Sequence, residues 1–143
     1  MLVADILRDK GGEVISVGPE DSALSAARTL SKRGIGSVLV RAADGEVLGI
    51  LSERDMLHGL ARHAGALMHY RVRDLMTKEL ETCTPDETLA ALMERMTQRR
   101  VRHLPVVENG ALLGIVSIGD VVKYLIAEQM AETEALKNYI ATG

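Results

Sequence analysis

Apolar and polar positions alternate along this chain in a pattern that occurs twice. Ala23, Ala26, Ala27 and Leu30 recur at helical spacing, and Leu89, Leu92, Met93 and Met96 do the same further on. Positions i, i+3, i+4 and i+7 put one apolar face on a helix. Each stretch opens with acidic or hydroxyl residues, Asp21-Ser22 and Asp86-Glu87-Thr88, as helix N-termini favour. Gly34 suits the end of the first helix, and Arg100 stands in its place in the second copy. A short strand is expected ahead of each helix, Val14–Val17 and Leu80–Cys83. After each helix come two apolar runs separated by a turn dipeptide. Val38-Leu39-Val40 turns at Asp44-Gly45 into Val47–Leu51, and Leu104–Val107 turns at Asn109-Gly110 into Leu112–Val116. Both dipeptides are hairpin signals, because tight turns need positive φ. Each hairpin feeds a further helix, opening at Ser52 or Ser117.

The order of elements is therefore strand, helix, strand, strand, helix, read twice. Residue identities follow the same repeat. Gly49-Ile50-Leu51-Ser52-Glu53-Arg54-Asp55 returns as Gly114-Ile115-Val116-Ser117-Ile118-Gly119-Asp120, and Val3-Ala4-Asp5-Ile6-Leu7 returns as Val72-Arg73-Asp74-Leu75-Met76. The fold expected is α/β, or α+β in layered terms, with two β-α-β-β-α repeats packed about a pseudo-twofold axis. The repeats are expected at 1–69 with its linker and at 70–143 with a longer terminal helix, the segment from Gly59 to Tyr70 joining the copies. One copy alone would leave its small sheet half covered, so the copies should pack together and leave paired clefts.

Composition narrows the function. A chain of 143 residues has room for a real core, burying roughly 68–70% of its surface on folding. That core must be aliphatic, because there is no Trp, no Phe and only three Tyr. The net charge of −3 gives no basic field to attract nucleic acid, and aromatic stacking platforms are absent. No apolar run reaches membrane-spanning length, and no secretory signal core is visible at the N-terminus. The single Cys83 excludes an intrachain disulfide and a multi-cysteine zinc site. A cytoplasmic protein is expected.

The candidate chemistry lies at the two Ser-x-x-Asp motifs, Ser52–Asp55 and Ser117–Asp120. A strand-to-helix junction points backbone N–H groups and the positive end of a helix dipole outward, which suits a phosphate. The Ser hydroxyl can donate to a sugar or phosphate oxygen, and the Asp can accept from vicinal ribose hydroxyls. The same spacing also makes a capping box, in which the two side chains serve only the helix start. Repetition does not choose between these, because duplication copies caps as readily as sites.

The Gly-apolar-apolar-Ser-x-x-Asp motif, preceded by a hairpin and a hydroxyl-bearing first strand, resembles the CBS domain. Two in tandem resemble the CBS domain pair, or Bateman module, from about Val3 to about Ile126. The resemblance implies a non-catalytic, energy-sensing type of regulatory module, with no required cofactor, that binds an adenosine-containing ligand. AMP and ATP head the expected ligands, with ADP, NAD and S-adenosylmethionine also in the class. It implies Asp55 and Asp120 at the ribose, Ser52 and Ser117 at sugar or phosphate, and Val14 with Ser16 and Leu80 with Thr82 at the base.

The copies differ where the second carries Arg99-Arg100-Val101-Arg102-His103. Arginines there suit phosphate. Strand alternation prevents all four basic residues from serving one ligand, so Arg102 and His103 are the expected contacts and Arg99 is expected in solvent. Lys10-Gly11-Gly12 does not match a Walker loop and reads first as a flexible turn, with Lys10 at a phosphate as the second reading. His58, His63 and His69 lack the spacing of a helical zinc site and are expected at the surface. No base, nucleophile or metal set points to an enzyme. The terminal stretch from Val121 to Ile140 stays apolar beyond the repeat, which favours a homodimer. An effector protein is the expected recipient of the signal. The alternative is a ligand-free module for dimerisation or protein–protein interaction.

Overall fold

The structure, a computed structural model, describes residues 1–142. The elements in order are α1 (Val3–Lys10), β1 (Ser16–Val17), α2 (Ala23–Arg33), β2 (Ser37–Arg41), β3 (Val47–Ser52), α3 (Glu53–His63), a 3₁₀ turn (Ala64–His69), α4 (Val72–Leu75), α5 (Leu89–Arg99), β4 (His103–Glu108), β5 (Ala111–Ser117) and α6 (Ile118–Thr142). The class is α+β, and the order twice reads helix, hairpin, helix as expected.

The chain forms two compact units, and they do not coincide with the sequence repeats. Val14–Leu80 is one unit, and Met1–Glu13 together with Glu81 onward is the other. The leading segment of each repeat is thus held by the other repeat's helices and hairpin. Division at 69/70 follows the repeat in sequence, whereas the spatial grouping is displaced from it by one leading segment.

In the Val14–Leu80 unit the sheet order is β1-β2-β3, with β1 parallel to β2 and β2 antiparallel to β3. Its core comprises Ala26 and Leu30 of α2, Val38 and Val40 of β2, Leu51 of β3 and Val72 of α4. α2 starts as its sequence predicts, with Ser22 Oγ accepting from Ser25 N at 3.0 Å, and α4 docks through Val72 N to Asp21 O at 2.9 Å. Gly49 is required by close approach. A Cβ there would sit 2.5 Å from the carbonyl oxygen of Thr77, the residue bridged to Ile50 in this unit.

In the other unit β4 and β5 form an antiparallel hairpin. Asn109 and Gly110 both have positive φ, 51° and 79°, so the two-residue turn forms as expected. The core is Val3 and Ile6 of α1, Leu89, Leu92 and Met96 of α5, Leu104, Val106 and Val116 of the hairpin, Val121 of α6, and Cys83. The strand expected at Leu80–Cys83 contracts to one parallel bridge, Cys83 to Val106. Cys83 N donates to Pro105 O at 2.9 Å and Val107 N to Cys83 O at 2.8 Å. Beside this bridge the Arg95 guanidinium takes the Thr82 carbonyl at 2.7 Å and the Glu81 and Glu87 carboxylates at 3.1 and 2.7 Å.

α2 and α5 end alike, with Gly34 (φ 63°) and Arg100 (φ 55°) in the left-handed region. A non-glycine residue there costs about 1–2 kcal/mol. Arg100→Gly should therefore raise stability by roughly 0.5–1 kcal/mol. Arg99→Gly, one residue earlier in regular helix, should lower it by about 1 kcal/mol. Urea unfolding of both variants checks the opposite signs. Burial pushes the Cys83 thiol pKa up to about 12, aided by the Glu87 charge and opposed by Arg95. The native protein should react with an aromatic disulfide reagent at pH 8 far more slowly than the urea-unfolded chain, and equal rates would contradict the buried thiol.

Candidate functional site

Each unit carries one Ser-x-x-Asp motif where a hairpin strand runs into a helix, and the local geometry is nearly the same in both. In the Val14–Leu80 unit, Asp55 Oδ2 accepts from Ser52 N at 2.9 Å and from Ser52 Oγ at 3.1 Å, and Ser52 Oγ accepts from Asp55 N at 3.2 Å. In the other unit, Asp120 Oδ2 accepts from Ser117 N at 2.9 Å, and Ser117 Oγ accepts from Asp120 N at 3.1 Å. Both motifs are capping boxes. A further constraint closes each helix start. Glu53 N donates to Gly36 O at 2.9 Å, and Ile118 N donates to Arg102 O at 2.8 Å. With the first and third helical N–H groups used, the second, on Arg54 or Gly119, remains to face a ligand. Each helix start thus offers fewer free N–H groups than a bare helix terminus.

The two aspartates differ in what reaches them from outside their own turn. Asp55 Oδ1 accepts from the Thr77 hydroxyl at 3.0 Å. Asp120 Oδ2 instead pairs with Lys10 Nζ at 2.7 Å, and the same ammonium donates to Ile115 O at 3.0 Å. Lys10 is at the end of α1 and is brought here by the docking of α1 against the hairpin. The hydrogen bonds of the described residues leave Oδ1 of Asp120 open. Burial works against the Asp120 charge, but Lys10 and the Ser117 N–H outweigh it, and its pKa lies below the ordinary carboxylate range. His103 lies opposite Ser117 in the β4–β5 register. Burial lowers its pKa, Lys10 lowers it further, Asp120 opposes them, and Arg102 adds to the lowering. His103 is therefore a half-buried, neutral imidazole near pH 7, with Lys10, Arg102 and Asp120 about it.

The predicted contacts group by unit. Ser52 and Asp55 share one unit with Val14, Ser16 and Leu80. There Ser16 pairs with Leu39 across the sheet and is exposed, while Val14 and Leu80 are half-buried. Ser117, Asp120, Arg102, His103 and Thr82 share the other, and Thr82 is exposed. Arg102 is exposed, and Arg99, two-thirds exposed, reaches Glu81 at 3.6 Å. In the Val14–Leu80 unit, Ser37 occupies the place of His103, opposite Ser52, and its buried hydroxyl has no partner among the described residues.

Two contacts were weighed lightly or missed in the sequence. Lys10 stood as a minor phosphate candidate, and Thr77 was not singled out. Both follow the repeated Val-x-Asp-Ile/Leu segment, which is the signal that could have placed them. His63 stacks on Tyr70 with ring centroids 4.2 Å apart, and Tyr70 Oη lies 3.0 Å from His63 Nδ1, while His58 and His69 are exposed. No metal-binding cluster of His, Cys, Asp or Glu occurs among the described residues, and no described helix is long and apolar enough to cross a membrane. A groove of about 520 Å³ between α2 and α3 is lined by Ala27, Leu30, Ser31, Gly34, Ile35, Glu53 and Met56, none of them a predicted ligand contact.

The chain is 48% identical to the CBS-domain containing protein ATU1752 from Agrobacterium tumefaciens, with a TM-score of 0.82 over 85% of this chain and 91% of that one. It is 32% identical over 149 residues to the CBS domain-containing protein CBSX3, described as mitochondrial, of Arabidopsis thaliana, spanning 99% of this chain and 72% of that protein. It is 25% identical to the CBS domain pair of protein MJ0100, crystallised in complex with 5′-methylthioadenosine and S-adenosyl-L-methionine, with a TM-score of 0.76 over 87% and 99% of the two chains. The CBS domain pattern itself matches residues 3–62 and again 72–127, and the chain belongs to the CBS domain family as a tandem pair.

Proposed function

We propose that this chain is a non-catalytic regulatory module that binds adenosine-containing ligands at the Ser117–Asp120 and Ser52–Asp55 junctions. AMP and ATP are the ligands best suited to the first of these. One observation carries the reading. The Asp120 carboxylate stands at a helix start with Oδ1 free of hydrogen bonds among the described residues, Lys10 paired to Oδ2 and His103 nearby. A carboxylate suits ribose hydroxyls, and a cation beside it suits phosphate. The relative crystallised with two adenosine compounds supports the ligand class. In this reading Val14, Ser16, Leu80 and Thr82 supply main chain and small side chains to the base. A buried, free Cys83 fits a reducing compartment such as the cytoplasm.

The signal passes by ligand-biased conformation, limited by the ligand's differential affinity for the states it selects, and its recipient is a partner protein or a second copy of the chain. The second-copy reading has a specific support. Val122, Ile126, Met130, Leu136 and Ile140 are 39%, 53%, 67%, 60% and 70% exposed. At 100° per residue they fall within an arc of about 120° on α6. A single apolar stripe on a 25-residue helix suits pairing with its own copy.

Asp120→Asn keeps the side-chain shape and removes the charge. It should weaken AMP binding at least tenfold in calorimetry while leaving the melting temperature within a few degrees of the unmodified protein, and unaltered affinity would refute the site. Asp55→Asn in parallel assigns any remaining binding. For the dimer, Ile126→Glu combined with Met130→Glu should reduce the mass in sedimentation from twice the 15.5 kDa chain mass to once. An unmodified chain that sediments as a monomer, or a variant still dimeric, would remove the α6 interface.

A further inference from the structure

The two junctions share a backbone and differ in the group that reaches the aspartate. Thr77 brings a neutral hydroxyl to Asp55, and Lys10 brings a full positive charge to Asp120. We propose that Lys10 is a specificity-determining clasp that competes with ligand hydroxyls for Asp120, so that this junction accepts anionic nucleotides and rejects neutral nucleosides. This rests on the proposed reading of Asp120 as a ribose-binding carboxylate.

Three observations carry the argument. Lys10 Nζ holds Asp120 Oδ2 at 2.7 Å and Ile115 O at 3.0 Å, so the ammonium is fixed at two points. The oxygen it holds is the one that closes the capping box through Ser117 N at 2.9 Å. The Lys10 side chain is 37% exposed and that of Asp120 24%, so both are within reach of a ligand. A sugar hydroxyl that displaced Lys10 would exchange a bond between two full charges for one in which only the carboxylate is charged. It would also leave the Lys10 ammonium without the carboxylate that pairs it. An adenosine thus loses on both counts. A nucleotide phosphate gives the displaced ammonium a new anion. A sugar that used only Oδ1 would leave Lys10 in place, and its charge would still favour a phosphate over a neutral 5′-hydroxyl. At Asp55 the displaced donor is a hydroxyl, so the exchange is nearly even and no phosphate is required. The two junctions therefore differ in ligand class, anionic nucleotide at Asp120 and neutral nucleoside at Asp55.

The test uses the full-length chain carrying Asp55→Asn, which isolates the Asp120 junction, with and without Lys10→Met or Lys10→Arg. AMP and adenosine are titrated calorimetrically at fixed low salt. With Lys10 present, AMP should bind more tightly than adenosine. Lys10→Met should reduce that preference at least tenfold, through weaker AMP binding, stronger adenosine binding or both, and Lys10→Arg should retain it. A preference unaltered by Lys10→Met, while Asp120→Asn still abolishes binding, overturns the clasp and leaves the binding site standing. Binding of neither ligand, or binding indifferent to Asp120→Asn, overturns both. A ligand-free readout accompanies these. Lys10→Met removes a neighbouring positive charge, so the His103 imidazole should titrate at higher pH in NMR, and an unmoved His103 would place Lys10 elsewhere in solution.

Discussion

The docking of the first ten residues onto the second half of the chain is the constraint on which the Asp120 site depends. Val3 N and Ala4 N donate to the carbonyls of Glu87 and Pro85 at 3.0 and 2.9 Å, and Leu89 N donates back to Met1 O at 3.2 Å. Val3 and Ile6 are fully buried beside Leu89 and Leu92. Burying two such side chains contributes on the order of 1.5–3 kcal/mol each, and the entropy of closing so long a loop grows only slowly with its length. The side chains that follow then have no freedom to go elsewhere. Asp9 receives the Tyr124 hydroxyl at 2.7 Å, and Lys10 reaches Asp120. In the Val14–Leu80 unit α4 plays the part of α1, with Val72 N on Asp21 O and Arg73 N on Pro19 O, and it delivers Thr77 to Asp55. The leading segments thus supply a side chain by which the surroundings of the two aspartates differ.

The repeated acids have a second lesson. Asp5 and Asp74 accept the N–H groups of Leu2 and Arg71, Asp21 and Glu87 those of Gly18 and Thr84, and Asp55 and Asp120 those of Ser52 and Ser117. In every case the acid bonds to the residue three positions before it. Each such hook satisfies a helix or turn N–H that would otherwise need water, a contribution of about 1 kcal/mol. Recurrence of an acid in both repeats is fully explained by this local work. What separates the third pair from the others is position, on a strand-to-helix junction closed from the far side by Gly36 or Arg102 carbonyls, and the additional partner that each aspartate draws from a leading segment.

The hairpins, the amphipathic helices α2 and α5, and the junctions at Ser52 and Ser117 were legible because each rests on local chemistry: a turn dipeptide, an apolar face, a hydroxyl cap. α1 and α4 were not. They have eight and four residues, too few for a periodic pattern, and tertiary bonds to the other repeat's loops hold them. The strand expected at Leu80–Cys83 is only a bridge at Cys83, because a four-residue stretch carries too little pattern to show where pairing begins. The pairing of Lys10 with Asp120 spans nearly the whole chain, and no local signal specifies it. At the candidate site, therefore, the groups lying within one turn were readable, and the groups arriving from a distant segment became visible only in three dimensions.

That division bears on how a duplicated domain acquires two different sites. The backbone of the junction is fixed by its own caps and tolerates little change, since replacing Gly49 would drive a side chain into the Thr77 carbonyl. The end of α1 and the residues just beyond α4 are under no such restriction, because Lys10 and Thr77 are both exposed and contribute nothing to either core. Exchanging one of them alters the charge beside an aspartate without disturbing the fold that positions it. Position 103 works in the same sense from the other side, with a neutral imidazole facing Ser117 where the small Ser37 faces Ser52. The asymmetry between Asp55 and Asp120 therefore arises where sequence is cheapest to vary, at the ends of segments whose docking is already secured by Val3, Ile6 and Val72.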